Sequence, residues 1–372
     1  MNNSTLEKWK KSWIGEKNIV LWGYGQTCRY FLDEFKEHLS IEAIIDNDIS
    51  KNGTVVNGIP IVHPDHIDLH DKKIVVTTYY EDICSQLEKE GLKEYTDFCD
   101  IRTFICGKSW FENNQVVINE LHIAITTGCT LNCKYCNMYM PFHKKVTTYS
   151  FEEIKCQIDL IFKFIDRIVK LVLLGGEPLI NRELSEVIEY LQSSYSGKFD
   201  KIEIITNGTI VPNESLISVL KAPDIVVTMS NYDLNDTYRN KFTDIRNILD
   251  ENGIITAVNK DLRWKDFSFP YSNLNLPDEQ AYKNMHKCNP VFRGFNDSKF
   301  YFCHLVWSSD KAGISKEQPD DYIDLSKSGP SAKESIVLMN MCCFDNTYNS
   351  LCKDCGGCSN LNQKYIKTGE QI

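Results

Sequence analysis

The chain has 372 residues, room for two or three domains, with an ordinary globular balance of 42% hydrophobic and 25% charged residues. Its net charge of -10 argues against a nucleic-acid partner held by bulk electrostatics. No apolar run nears the roughly 18 residues a membrane helix needs, and the polar, lysine-bearing stretch Met1 to Trp13 does not read as a signal peptide, so a cytoplasmic chain without a membrane partner is expected. Fifteen cysteines are many for a reducing compartment, where disulfides are rare. Those that cluster point to metal or redox work; the scattered ones, Cys28, Cys84, Cys99, Cys106 and Cys156, point to packing.

Asn18 to Trp22 reads as a short strand running into Gly23-Tyr24-Gly25-Gln26-Thr27-Cys28. A helix from Arg29 to Glu37 and a second strand, Ile41 to Ile45, follow, ending at Asp46-Asn47-Asp48. A strand, glycine turn, helix and strand, with an acid about 20 residues past the glycines, is the outline of a dinucleotide fold. The glycines would let backbone approach a phosphate at the helix N-terminus. Cys28 stands where the third glycine belongs, so the fingerprint is incomplete and redox NAD binding is disfavoured. Lys73 to Thr78 supplies a further strand. Phe98 to Gln115 shows no clear period and reads as a connector, with a domain boundary near Asn114.

Further on, apolar Leu121 to Ile125 reads as a buried strand. It leads into Cys129, Cys133 and Cys136, at C-x3-C-x2-C spacing. A loop can wrap three thiolates round one corner of an iron–sulfur cube and leave one iron open to a small molecule; zinc is the other reading of such spacing. Strands and amphipathic helices then alternate: a helix over Phe151 to Ile168, a strand at Leu171 to Leu174, a helix over Glu183 to Leu191 and a strand at Ile202 to Ile205. A short helix at Leu216 to Leu220, a strand at Asp224 to Met229, a helix from Thr237 and a strand at Ile254 to Val258 complete the series. Repeated βα units predict a parallel sheet whose ligands sit beyond the C-terminal strand ends. Gly175-Gly176-Glu177-Pro178, Thr206-Asn207-Gly208 and Ser230-Asn231-Tyr232-Asp233 all fall at such ends.

The cysteine loop resembles the radical S-adenosylmethionine (SAM) superfamily, whose signature is C-x3-C-x-aromatic-C, with Tyr135 in the aromatic position. Gly175-Gly176-Glu177-Pro178 resembles that family's GGEP motif. The resemblance covers about Leu121 to Val258. It implies a partial (βα)6 barrel, a [4Fe–4S] cluster on Cys129, Cys133 and Cys136, and SAM chelated at the open iron. One electron, from a reductase or flavodoxin, would cleave SAM to a 5′-deoxyadenosyl radical that takes hydrogen from a substrate. It further implies that Glu177 offers an acceptor to the SAM ammonium, and that Thr206, Asn207, Ser230 and Asn231 bind the SAM ribose and carboxylate. The stretch Asn137 to His143 is similar to a subgroup associated with bacterial polysaccharide modification, with Tyr139 or His143 facing either the substrate or the protein's own packing. The N-terminal text Asp46 to Ile61 resembles the small Rossmann-like domains of bacterial sugar-modifying enzymes, either a nucleotide-sugar handle or a docking fold.

Cys288, Cys303, Cys342, Cys343, Cys352, Cys355 and Cys358 fill the C-terminal third, and Asp297 to Cys303 reads as a turn plus a strand. This arrangement is similar to the SPASM and twitch auxiliary-cluster domains, although Ser298 replaces a glycine and the full SPASM spacing is absent. The resemblance implies one auxiliary iron–sulfur cluster on Cys288, Cys303, Cys352 and Cys355, with Cys358 able to replace one of them; zinc is again the alternative. The expected layout is α/β: a Rossmann-like domain over 1–114, the radical SAM barrel over 115–270 and a small iron–sulfur domain over 271–372. The expected function is hydrogen abstraction from a sugar or nucleotide sugar, leading to oxidation, epimerisation or elimination. Tyr282, Cys342 and Cys343 are guesses for a hydrogen donor. A peptide- or protein-modifying enzyme is the alternative, and a non-catalytic electron carrier the reading from another class.

Overall fold

The computed structural model describes residues 4–78, 80–259, 263–288, 293–343, 348–359 and 362–372. The chain divides into two compact units, one of Met1–Gln115 with Val337–Asp345, the other of Val116–Ile336 with Asn346–Ile372.

The first unit is built on β1 (Asn18–Trp22), β2 (Ser40–Ile45), β3 (Val55–Val56), β4 (Ile59–Val62), β5 (Ile74–Val76) and β6 (Phe98–Asp100), in the order β3-β4-β2-β1-β5-β6. Only the β3–β4 pair is antiparallel. Ile19 to Trp22 are all buried, the continuous apolar run of a parallel strand covered on both faces. The chain passes from β1 to β2 on one side and later to β5 on the other, so Gly23-Tyr24-Gly25 leaves β1 where the strand order reverses. Gly23 has φ +105°, and a Cβ there would meet Thr78 Cβ at 2.4 Å. Asp46 is spent on its own loop: its carboxylate accepts from Tyr24 N, Asp48 N and Lys51 Nζ, each at 2.9 Å. Burial alone would raise its pKa, but Lys51 and the two amides together hold it below the usual carboxylate range. Cys28, in the third-glycine position, is fully buried.

The expected connector is instead β6 followed by a 13-residue helix, Ile101–Asn113. Seven of its first nine residues are buried, so no polar face marks a helical period. Its signals lie at the ends: Asp100 Oδ1 accepts from Arg102 N at 2.7 Å, and Asn114 closes it at φ 55°. Gly107 leaves room for the Trp9 ring, which a Cβ would meet at 2.4 Å. Cys342 and Cys343 are buried in this unit, where they act on Tyr95, and Cys343 also on Cys99.

In the second unit, β7 (Val117–Thr126), β8 (Arg167–Gly175), β9 (Phe199–Thr206), β10 (Ile225–Ser230) and β11 (Thr256–Asn259) run parallel, each beside the next. The helices Phe151–Ile161, Leu184–Ser194, Glu214–Leu220 and Asp236–Glu251 connect them where the periodicity predicts helices, but the first stops at Ile161 rather than Ile168, since Arg167 and Ile168 already belong to β8. Local chemistry starts three of them where they begin: a capping box of Ser150 with Glu153, and the side chains of Asn213 and Asn235 on the first turns. Alternate residues of the strands separate two faces. Leu121, Ile123, Leu171, Leu173, Ile202, Ile204 and Val227 are buried on one. On the other, Lys170 of β8 binds Glu120 at 2.6 Å and Glu203 at 2.9 Å, and Glu120 binds His122 at 2.6 Å.

β12 (Arg263–Lys265) pairs antiparallel with the late strand β16 (Tyr365–Lys367). β13 (Gly294–Asn296) lies parallel to β7, and β14 (Lys299–Tyr301) and β15 (Tyr322–Asp324) continue beyond it antiparallel. The sheet order is therefore β11-β10-β9-β8-β7-β13-β14-β15. The expected sixth βα unit is not the next in sequence: β7 gains its outer neighbour from β13, after the chain has passed Cys288. β13, β14 and β15 thus extend the central sheet, and the segment past residue 271 is not set apart as a unit of its own. Among the described residues no helix is long and apolar enough to cross a membrane.

Candidate active site

The three cysteines of the triplet follow the end of β7. Cys133 is buried, with Cys129 and Cys136 partly so. Burial pushes all three thiols up to about 11. Each sulfur binds metal only as a thiolate, so loading the site must release protons. N–H groups already point at two of the sulfurs: Leu131 N and Asn207 Nδ2 lie 3.4 and 3.5 Å from Cys129 Sγ, and Gln371 Nε2 lies 3.1 Å from Cys133 Sγ. Donors aimed at sulfur stabilise the thiolate, so the donor set fits an iron–sulfur cluster. Tyr135 packs edge-on to Tyr271 at 5.1 Å, and Tyr271 OH donates to Lys134 O at 2.5 Å.

The turn after β8 touches this loop directly. Gly176 N and Glu177 N donate to Thr126 O and Gly128 O, at 3.1 and 2.8 Å. A Cβ on Gly175 would stand 2.2 Å from Thr126 O, and one on Gly176 would stand 2.2 Å from Gly128 O. Both glycines are there because two backbones meet. Pro178 is buried and opens the short turn Pro178–Ile180.

Glu177 links that turn to the end of β9. It is fully buried, and its carboxylate accepts from Thr206 Oγ1 at 2.8 Å, Asn207 N at 2.7 Å and Leu179 N at 3.1 Å. These bonds tie the glycine turn to the end of β9. Desolvation outweighs those three donors and raises its pKa to about 7.

Asn207 reaches both Cys129 and Thr130, the latter at 3.1 Å. Thr206 is buried behind it, its hydroxyl engaged with Glu177 and Gly208 N. Tyr238, which the sequence did not single out, donates between Asn207 O and Ser230 O, both at 2.9 Å, and so joins the ends of β9 and β10. Asn231 turns inward on its own loop, accepting from Asp233 N at 3.0 Å. Tyr232 was also missed; its hydroxyl feels the Cys136 and Cys133 thiols.

A second group of cysteines lines one cavity: Cys288, Cys303, Cys352, Cys355 and Cys358. All four assigned sulfurs are present, and Cys358 Sγ lies 3.0 Å from Cys288 Sγ. Gly357 N points at Cys355 Sγ at 3.3 Å and Cys358 N at Cys288 Sγ at 3.4 Å. Burial raises the thiol pKa of Cys303, Cys352 and Cys355. Among the described residues no three His, Cys, Asp or Glu side chains stand grouped round the position of a single metal ion. Tyr139 is buried at 2% exposure with φ 54°, and its hydroxyl has no hydrogen-bond partner among the described residues. The thiols that act on it are Cys355, Cys303 and Cys136. The turn is held by Ser308 Oγ, which donates to Met138 O at 2.7 Å from the helix that follows Cys303. His143 is half-buried, 3.1 Å from Met138 O. Tyr282 packs against His286 with the rings tilted, centroids 4.2 Å apart, and neither Cys342 nor Cys343 lines the cavity.

Residues 123–250 match the family model of the radical SAM superfamily. This segment is similar to radical SAM domains. Residues 15–96 match a second family model, described as C2185-like, N-terminal. The GTP 3′,8-cyclase of Campylobacter jejuni subsp. jejuni serotype O:2 is 32% identical over 166 residues, 42% of this chain and 49% of that protein. The GTP 3′,8-cyclase of Clostridium acetobutylicum is 29% identical over 224 residues, 58% of this chain and 59% of its own length. The chain thus spans about half the length of the curated relatives it matches. Among solved structures, BtrN in complex with AdoMet and 2-DOIA aligns over 69% of this chain and 98% of its own, at 15% identity and a TM-score of 0.35.

Proposed function

We propose that the chain is a radical SAM enzyme that takes a hydrogen atom from a sugar, most simply one linked to a nucleotide, in polysaccharide or glycan synthesis, ending in oxidation, epimerisation or elimination. The observation that carries the radical SAM part is the meeting of the cysteine loop after β7, the glycine turn after β8 and Asn207 after β9 at one end of the parallel sheet. Cys129, Cys133 and Cys136 would hold a [4Fe–4S] cluster. When bound, the cluster and SAM supply the electron and the 5′-deoxyadenosyl radical; a reductase or flavodoxin in the cytoplasm would supply the electron first.

The chain's own residues prepare the place. Asn207 holds Cys129 and Thr130 in position from β9. Glu177 fixes the glycine turn against the same strand end, so backbone rather than a free carboxylate faces the ligand. Tyr238 keeps the end of β10 in register with β9, placing Ser230 and Asn231 beside the site. Four of the five cavity cysteines, from Cys288, Cys303, Cys352, Cys355 and Cys358, would hold an auxiliary cluster. An orphaned buried hydroxyl, that of Tyr139, supports the presence of a group with acceptor sulfurs there. The sugar reading rests on the N-terminal unit, a parallel sheet with a glycine turn at its switch point. Relatives named for a reaction on GTP keep a nucleotide-bearing substrate in view.

The test follows the hydrogen. With position-labelled deuterated nucleotide sugars, the reconstituted protein should pass deuterium into 5′-deoxyadenosine. SAM cleavage without transfer from any of them would overturn the sugar reading and leave the radical SAM reading standing.

A further inference from the structure

The second unit contains a segment that the motif set does not use. After β16 the chain runs through Thr368 and Gly369 to Glu370, Gln371 and Ile372, and pairs antiparallel with the cysteine loop. The contacts are dense for so short a stretch. Lys134 N donates to Glu370 O at 2.7 Å, and Ile372 N donates to Asn132 O at 3.1 Å. Asn132 N donates to Gln371 Oε1 at 2.8 Å, and Asn132 Nδ2 donates to Ile372 O at 3.0 Å. Gly369, at φ +69°, lets the segment pass Tyr232; a Cβ there would meet Tyr232 Cβ at 2.7 Å. The pairing fixes the Gln371 amide from both ends: its oxygen is taken by Asn132 N, and its nitrogen donates to Gly369 O at 2.8 Å and to Cys133 Sγ at 3.1 Å. Cys133 is 6% exposed, so few water molecules compete for that sulfur.

We propose that Gln371 is a hydrogen-bond donor to the cluster-bound Cys133 sulfur, delivered by the pairing of Gly369–Ile372 with the cysteine loop, and that this contact raises the reduction potential of the cluster on Cys129, Cys133 and Cys136. The proposal rests on the radical SAM reading of that loop. Its sign follows from charge. A reduced cluster carries one more negative charge than an oxidised one, and an N–H donor on a ligating sulfur stabilises the more negative state. Gln371 is a positioning residue: it touches the cluster's ligand and not the substrate.

The experiment compares wild type, Gln371→Ala and Gln371→Glu, each reconstituted without oxygen, with iron counted per chain. The reduction potential is read from the electron paramagnetic resonance signal that changes on adding SAM, which marks this cluster. Gln371→Ala should move the potential to a more negative value. Gln371→Glu, which loses the donor and adds a negative charge, should move it further. Lys367→Ala, an exposed change on the same segment, should leave it where it is. Equal potentials in all four proteins, with equal iron, would overturn the proposal. Where Gln371→Ala takes up no iron, Gln371→Glu decides, since it keeps the chain length and the Asn132 contact; a wild-type potential there overturns the proposal too. Failure of the underlying reading looks different: wild type itself would show no SAM-responsive signal.

Discussion

Glu177 shows how one side chain can be necessary in a way its motif does not advertise. Its two oxygens answer three donors, and its burial costs more than those donors return, which is why the carboxyl sits near 7. Glu177→Gln keeps the shape but turns one acceptor into a donor facing donors. A loss of about 1–3 kcal/mol is expected, read as a lower urea midpoint. The pH dependence has a definite sign. The ordinary value is 4.5 and the folded value about 7, so between them the folded chain holds a proton that the unfolded chain has lost. The group's stabilising contribution is complete below about 4.5 and is lost as pH rises through about 7. In the cluster-free protein, wild type should therefore lose stability relative to Glu177→Gln from pH 5 to pH 8. A constant difference across that range would mean the carboxyl is not held near 7.

At the scale of elements, the decisive contact is turn against loop. Gly175 and Gly176 sit where the turn after β8 meets the loop after β7, each with a facing backbone oxygen 2.2 Å from where a Cβ would stand. Backbone cannot rotate away as a side chain can. Gly175→Ala and Gly176→Ala should each destabilise the protein by about 1–3 kcal/mol. Both should also weaken SAM binding, measured by equilibrium dialysis on the iron-loaded protein. Undiminished binding in both variants would mean that this turn does not shape the SAM site. The helices between strands were legible because each has one apolar face, and three of them a capping residue at the start. The helix Ile101–Asn113 was not, because it is buried nearly all round and carries no readable period.

For the whole molecule, the question is how many clusters one chain carries. The triplet follows β7, while the five-cysteine cavity is assembled from residues 70 positions apart and more. If both hold four-iron clusters, the reconstituted chain should contain about eight iron atoms, falling to about four when Cys352 and Cys355 are both changed to alanine. About four in both proteins would mean that the cavity holds zinc or nothing, and redox-neutral chemistry would then be the place to look. The same long-range assembly explains why Cys342 and Cys343, close in sequence to Cys352, lie apart from it: Val337–Asp345 belongs to the first unit, whose core buries them.

By itself, the sequence determined the alternation of strands and helices, the cysteine triplet on a loop after a strand, the glycine turn one unit later and the polar strand ends after that. These are properties of short stretches, set by side-chain period, backbone freedom and ligand spacing over a few residues. Only the tertiary structure decided that Glu177 faces inward, that β13 rather than a sixth consecutive unit flanks β7, that Cys358 joins Cys288 at one cavity wall, and that Gln371 reaches Cys133 across 238 positions of sequence. Such partners leave no local trace, because a hydrogen bond between distant segments is fixed by how the strands and loops pack and not by the pattern of either segment alone.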